Sequence, residues 1–283
     1  MTVSVADAIR EGADLPSDSP RLDAELLLAK ALQRRREYLL SHPEQLLAQS
    51  ELQDYRALLE RRKAGEPVAY LLGSKGFWDF ELAVTPAVLI PRPETELIVE
   101  QALALYAGRE QEALHAVDLG TGSGALAIAL ARLNPAWQLT AVDTSAEALQ
   151  LAQENAQRLQ VSNIRFSCSS WCAEITNASC DLIVSNPPYI EEDDEHLQSE
   201  GLPFEPQGAL VAAEQGLADI RQIVSEAKRC LKQDAWLLIE HGYEQAQAVH
   251  ALLNENGYVE IHCQQDYAGN DRMSRARWPG DVA

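Results

Sequence analysis

Val117-Asp118-Leu119-Gly120-Thr121-Gly122-Ser123-Gly124 joins an apolar run, 115 to 119, to a helical pattern that runs from Ala125 to Leu133. Apolar residues followed by glycine at every second position describe a strand that turns sharply into a helix and leaves its main chain open to a ligand. Outward from this point, apolar runs near 138 to 143, 164 to 168, 180 to 185 and 235 to 240 alternate with amphipathic stretches. That alternation predicts an α/β domain with a parallel, doubly wound, Rossmann-like sheet. One connecting helix follows the box Thr144-x-x-Glu147, and another runs through Leu217, Ile220, Val224, Ala227 and Leu231. After a last helix ending near Gly257, the segments 258 to 266 and 273 to 278 flank a Gly269-Asn270-Asp271 turn, which predicts an antiparallel pair closing the sheet.

Upstream the pattern is helical only. Ser19 can cap, Pro20 suits the first helical position, and Leu22, Leu26, Ala29 and Leu32 follow at helical spacing. A later helix has the box Ser50-x-x-Gln53, a stripe of Leu52, Tyr55, Leu58 and Leu59, and a stop at Gly65 before Pro67. The division expected is a small all-helical bundle over 1–72, a hairpin and linker over 73–93, and the α/β domain over 94–283.

Composition narrows the partners. Against 23 basic side chains stand 43 acidic ones, a formal net charge of -20 in 283 residues, and such a field repels a phosphate backbone. Nucleic acid is therefore not expected as a partner. The five cysteines, Cys168, Cys172, Cys180, Cys230 and Cys263, form no CxxC pair, and the apolar surroundings of the first three fit buried strand positions better than a metal site. No apolar window is long enough for a membrane span, and a cytoplasmic protein without metal is expected.

The chemistry lies at two strand ends. Gly120-x-Gly122-x-x-Ala125 also satisfies the dinucleotide fingerprint, and Asp143 at the end of the second strand suits a pair of ribose hydroxyls in either reading. What separates the readings is Asp181-Leu182-Ile183-Val184-Ser185 ending in Asn186-Pro187-Pro188-Tyr189, which faces the same crevice as the glycine loop. A planar NH2 group is a poor nucleophile because its lone pair is delocalised. The Asn186 side-chain carbonyl and the Pro187 backbone carbonyl can each accept one of its N–H groups and aim the lone pair at an activated methyl. The Pro187-Pro188 pair stiffens these acceptors, and Tyr189 offers an aromatic face to a planar acceptor. Trp171, after the third strand, can pack on an adenine ring.

Over essentially its full length the chain resembles the bacterial release-factor glutamine methyltransferases. The resemblance is carried by the helical first domain, Leu89-Ile90-Pro91-Arg92-Pro93-Glu94-Thr95-Glu96, the glycine loop from Asp118 to Gly124, Val184-Ser185-Asn186-Pro187-Pro188-Tyr189-Ile190, Phe204-Glu205-Pro206 and Glu240-His241-Gly242. It implies a seven-stranded class I methyltransferase domain using S-adenosyl-L-methionine, with S-adenosyl-L-homocysteine as product. It implies that Gly120, Thr121, Gly122, Ser123, Gly124, Asp143, Trp171 and Asn186 contact the cofactor, and that Asn186, Pro187, Pro188 and Tyr189 hold the substrate glutamine. The implied substrates are class 1 peptide chain release factors, modified in a Gly-Gly-Gln motif and docked by the helical domain. Asn-Pro-Pro-Tyr alone also fits a nucleic-acid adenine amino-methyltransferase, which the acidity disfavours. A nicotinamide oxidoreductase leaves Asn186 to Tyr189 unexplained. Arg92 and Glu94 are read as a linker ion pair or turn rather than as site residues.

Overall fold

The structure, a computed structural model, describes residues 2–109, 111–199 and 201–280. The chain falls into two compact units, Met1–Lys75 with Gln198–Phe204, and Gly76–Leu197 with Glu205–Ala283.

In the first unit helices α1 (Val5–Glu11), α2 (Pro20–Ala31), α3 (Arg36–Ser41), α4 (Gln49–Lys63) and α5 (Val68–Leu72) close over Val5, Ala8, Ala24, Leu27, Leu28, Leu39, Tyr55 and Leu59. Two polar ties cross this core: the Tyr55 hydroxyl donates to the Ala8 carbonyl at 2.9 Å, and Arg62 pairs with Asp23 at 2.8 Å. Three sequence expectations shift here. Ser19 makes no side-chain cap bond, although Pro20 does open α2. Of the expected stripe of α2, Ala29 and Leu32 are buried, Leu26 is half-buried and Leu22 is exposed, while Ala24, Leu27 and Leu28 complete the buried face, because an apolar helix is phased by its neighbours as well as by its own stripe. Helix α4 begins at Gln49, ahead of the Ser50 box, and the Glu51 carboxylate accepts from the Ala48 N–H at 2.7 Å.

The boundary between the units falls inside β1 (Ser74–Phe77), which forms a hairpin with β2 (Phe80–Ala83); Phe77, Phe80 and Leu82 are buried in the core of the second unit. Then α6 (Glu96–Leu105), β3 (His115–Leu119), α7 (Ala125–Leu133), β4 (Gln138–Asp143), α8 (Ala146–Arg158), β5 (Ile164–Cys168) and β6 (Cys180–Ser185) follow in turn. The chain ends with α9 (Ala218–Cys230), β7 (Leu231–Glu240), α10 (Ala246–Glu255), β8 (Val259–Gln265) and β9 (Asp271–Arg277). The seven-stranded sheet has the order β5-β4-β3-β6-β7-β9-β8, parallel up to β7 and antiparallel where β9 pairs with β7 and β8. Its edge strand β8 slips register against β9 at Val259/His262 and again at Gln264/Gln265.

Each strand feeds both faces. Ala116, Leu182, Val184 and Leu238 pack with Leu97, Ile98, Leu126 and Leu130 of α6 and α7. Their neighbours Val117, Ile183, Leu237 and Ile239 pack with Ile220, Val224, Val249 and Leu253 of α9 and α10. Both faces are covered, so the strands read as continuous apolar runs. The capping of α8 falls one residue later than Thr144: the Ser145 hydroxyl accepts from the Ala148 N–H at 3.1 Å. Cys172 and Cys180 are buried, but Cys168 is exposed because β5 lies at the rim of the sheet.

Candidate active site

Strand order reverses at β3, whose two neighbours β4 and β6 lead off in opposite directions, and a crevice opens beyond the carboxyl ends of these strands. It holds a cavity of about 470 Å³, within the range that takes a small-molecule cofactor. Gly120, Thr121, Gly122, Ser123, Asp143, Trp171, Asn186 and Pro188 all line it, together with Asp118, Ala125, Leu126 and Asp219. Pro187, Tyr189 and Gly124 are not among its lining residues. Gly124 instead starts α7 at a φ of 87°, a conformation that costs an L side chain about 1–2 kcal/mol.

The loop is pinned from several sides. Gly120 and Thr121 N–H both donate to the Val142 carbonyl at 2.9 Å, which ties the turn after β3 to the end of β4. The buried Asn155 amide donates to the Ser123 carbonyl at 2.9 Å. Asp143 accepts from Gly122 N–H and from Ser145 N–H, each at 2.9 Å, and each carboxylate oxygen keeps a further lone pair for a hydroxyl. Trp171, at a φ of 40°, brings its ring over Gly120, where an added Cβ would stand 3.4 Å from the indole.

Asp118, the fourth residue of β3, is 1% exposed. One of its oxygens accepts from the Thr121 hydroxyl at 2.7 Å and the Ala127 N–H at 3.1 Å, whereas the other has no partner among the described residues. Burial pushes its carboxyl up to about 7. Asp118 lines the cavity, and a buried carboxylate oxygen without a donor is costly unless a ligand supplies one, which a cation does best. In the sequence Asp118 is legible as the first residue of the glycine-loop motif, with no role of its own. Its role depends on burial, which no local pattern reports.

Asn186 follows β6 directly. Its amide Nδ2 donates to Thr95 Oγ1 at 2.9 Å. The Tyr189 ring packs on the core of α9 and α10, its hydroxyl donating to Glu240 at 3.2 Å and its carbonyl accepting from Gln245 Nε2 at 3.0 Å. Arg92 pairs with Glu205 of Phe204-Glu205-Pro206, which also accepts from the Ile90 N–H at 2.9 Å. The ion pair of Arg92 thus reaches out of the linker to Glu205, 113 positions on, and not to Glu94 beside it.

Behind the Tyr189 carbonyl the backbone turns left-handed over Glu214, Gln215 and Gly216, at φ 56°, 58° and 77°. A Cβ on Gly216 would stand 2.0 Å from the Tyr189 oxygen. Gly216→Ala is thus expected to cost about 2–4 kcal/mol, from left-handed strain plus a clash with rigid backbone. Urea unfolding of the two proteins checks this, and a loss under about 1 kcal/mol would show that the turn is freer than its packing implies.

A methyltransferase of Pyrococcus furiosus, 18% identical, shares this fold with a TM-score of 0.51 over 80% of this chain and 98% of its own. Ribosomal protein L11 methylase of Lactobacillus delbrueckii subsp. bulgaricus, 20% identical, shares it at 0.50 over 70% and 84%. At these identities the likeness is one of fold, a seven-stranded α/β sheet of the class I methyltransferase type. Residues 7–73 match the PrmC N-terminal domain and residues 97–200 the Methyltransferase small domain. Release factor glutamine methyltransferase of Vibrio cholerae is 47% identical over 98% of both chains, and that of Escherichia coli 44% over 93% of this chain and 94% of its own. The chain belongs to the release factor glutamine methyltransferase family.

Proposed function

We propose that this chain methylates, in the cytoplasm, the side-chain amide nitrogen of the glutamine in the Gly-Gly-Gln motif of class 1 peptide chain release factors. The observation that carries the reading is that Asn186 and Pro188 line the same cavity as the glycine loop, Asp143 and Trp171. Acceptor and cofactor would share one crevice.

The residues present fit the cofactor. The unpartnered Asp118 oxygen suits the ammonium of its methionine part, Asp143 suits the ribose hydroxyls, and Trp171 with Gly120 suits the adenine. Backbone from Gly120 to Gly124 admits the ligand close to the chain. Bound there, S-adenosylmethionine supplies a methyl group already activated by its sulfonium. The protein's task is to orient and polarise the acceptor. Asn186 Oδ1 and the Pro187 carbonyl accept the two N–H groups of the glutamine amide, turn its lone pair toward the methyl and favour pyramidal nitrogen. Pro188 stiffens this pair, and Tyr189 fixes the far end of the motif through Glu240 and Gln245. No general base is required beforehand, because the N–H groups become acidic only as the C–N bond forms, and one of their protons is then lost to solvent. Docking of the release factor is assigned to the helical unit, whose Leu22, Leu40 and Leu46 are exposed and apolar.

The test is intact-mass analysis of an unmethylated release factor incubated with the protein and S-adenosylmethionine, followed by peptide mapping. A single methyl on the Gly-Gly-Gln glutamine is expected. Cofactor bound by folded protein without any mass gain would overturn the substrate and send the search to nucleic acid or another protein.

A further inference from the structure

Thr95, which also lines the cavity, and Glu240 lie in two motifs whose part in the site the cofactor and acceptor contacts do not account for. Glu240 is the last residue of β7, 1% exposed, and Thr95 is 5% exposed just ahead of α6. The Thr95 hydroxyl donates to Glu240 Oε2 at 2.8 Å and accepts from Asn186 Nδ2 at 2.9 Å. Glu240 Oε1 accepts from the Tyr189 hydroxyl at 3.2 Å. One buried carboxylate therefore terminates hydrogen bonds from both ends of Asn186-Pro187-Pro188-Tyr189.

The direction of this chain has a chemical consequence. A hydroxyl has one proton, and that of Thr95 is committed to Glu240 wherever the carboxylate is ionised and acceptor-only. Burial raises this carboxyl to about 7, against the hydrogen bonds and the Arg272 charge that favour its ionised form, so the relay is set above that pH. Toward Asn186 it can only accept. An Asn186 amide turned by 180° would set Oδ1 against an oxygen with no proton to give, losing a buried hydrogen bond and adding repulsion. The amide is thus held with Nδ2 on Thr95 and its oxygen left for another donor. The segment carrying Thr95 is itself anchored, since Glu205 accepts from Ile90 N–H and pairs with Arg92, and Glu96 accepts from Trp78 N–H at 2.7 Å.

We propose that Thr95 and Glu240 are positioning residues that lock the Asn186 amide in the one orientation presenting its oxygen to the acceptor. The relay selects an acceptor that offers N–H protons, such as a primary amide, over one that offers a carbonyl edge. This rests on the reading of Asn186 as the acceptor-binding group.

Single-turnover methylation of an unmethylated release factor tests it, with cofactor affinity measured by calorimetry on each variant as the check that the fold survives. Thr95→Val keeps shape but neither accepts nor donates, and is expected to lower the transfer rate about 30-fold or more with cofactor affinity within about threefold. Thr95→Ser, which restores the hydroxyl, should recover at least half of the wild-type rate. Glu240→Gln, able to donate as well as accept, should lower the rate about tenfold and serves as the second variant should Thr95→Val not fold. Added to Asn186→Ala, Thr95→Val should change nothing further, because the group it orients is already gone.

A Thr95→Val rate within twofold of wild type, or a Thr95→Ser rate as low as that of Thr95→Val, would overturn the relay while leaving the activity intact. A wild-type chain that leaves the release factor unmodified would instead overturn the activity, and the relay with it.

Discussion

Asn186→Ala is expected to slow methyl transfer by two to three orders of magnitude while leaving cofactor affinity within about tenfold. The side chain contributes an acceptor that strengthens as the amide nitrogen gains positive character, so its removal is felt in the transition state more than in the ground state. Cofactor binding keeps Asp118, Gly120 to Ser123, Asp143 and Trp171, all of which line the cavity independently of the Asn186 side chain. Single-turnover rates on a release factor, set beside calorimetric binding of S-adenosylhomocysteine, separate the two effects. Equal losses in both would mean that Asn186 serves the cofactor and that the acceptor is held elsewhere.

The second large effect belongs to Asp118. Asp118→Asn keeps an acceptor for Thr121 and Ala127 but removes the charge, and should weaken cofactor binding about 30-fold or more, as loss of one partner from a buried charged pair does. It should also raise the melting temperature of the cofactor-free protein by a few degrees, because a buried charge without a counter-ion opposes folding. The pH dependence follows from the direction of the shift. Burial raises the folded-state carboxyl from its ordinary value of 3.8 to about 7, so the folded protein holds this proton more tightly than the unfolded chain. That contribution to stability is fully present below the unfolded value and is lost as pH rises through about 7. Binding of the cofactor's ammonium runs the other way. It needs the carboxylate, so affinity should fall about tenfold per pH unit below that point, and Asp118→Asn should flatten the profile. A variant with unchanged affinity and unchanged melting temperature would show that the buried oxygen is satisfied by other means.

Much of this was legible in the sequence, and the parts that were not share a cause. The strands 115–119, 138–143 and 180–185 could be read to the residue, because a doubly covered parallel strand is an apolar run ended by a polar residue, here Asp118 with Leu119, Asp143 and Ser185, whereas the half-exposed rim strand 164–168 is legible from its place in the alternation of strands and helices. Asp143 and Asn186 could be placed at one crevice for the same reason: topology puts the carboxyl ends of parallel strands side by side. Helix starts were misplaced by a residue or two at Thr144, where Ser145 beside it can cap equally well, and at Ser50, where the Glu51 carboxylate caps from within the helix and lets it start after Ala48. Thr95 and Glu240 are 145 positions apart, and no local periodicity links residues that meet only through the sheet. The same holds for Arg92, whose partner Glu205 lies 113 positions on.

The two rims of the large sheet bear on what this chain does when crowded with its own copies. An open strand edge is a template for a strand from a neighbouring molecule, and a largely parallel sheet folds slowly enough to leave such edges bare for a time. One rim, β5, is 5 residues long and carries exposed Arg165. The other, β8, is bulged at both ends of its pairing with β9, with exposed Glu260 at a φ of 52°. A bulge breaks the regular ladder that an incoming strand must match, and a charge on a short rim penalises its burial. Resistance to strand-on-strand aggregation is thus written into the margins of the sheet, while its centre is left free to carry the chemistry.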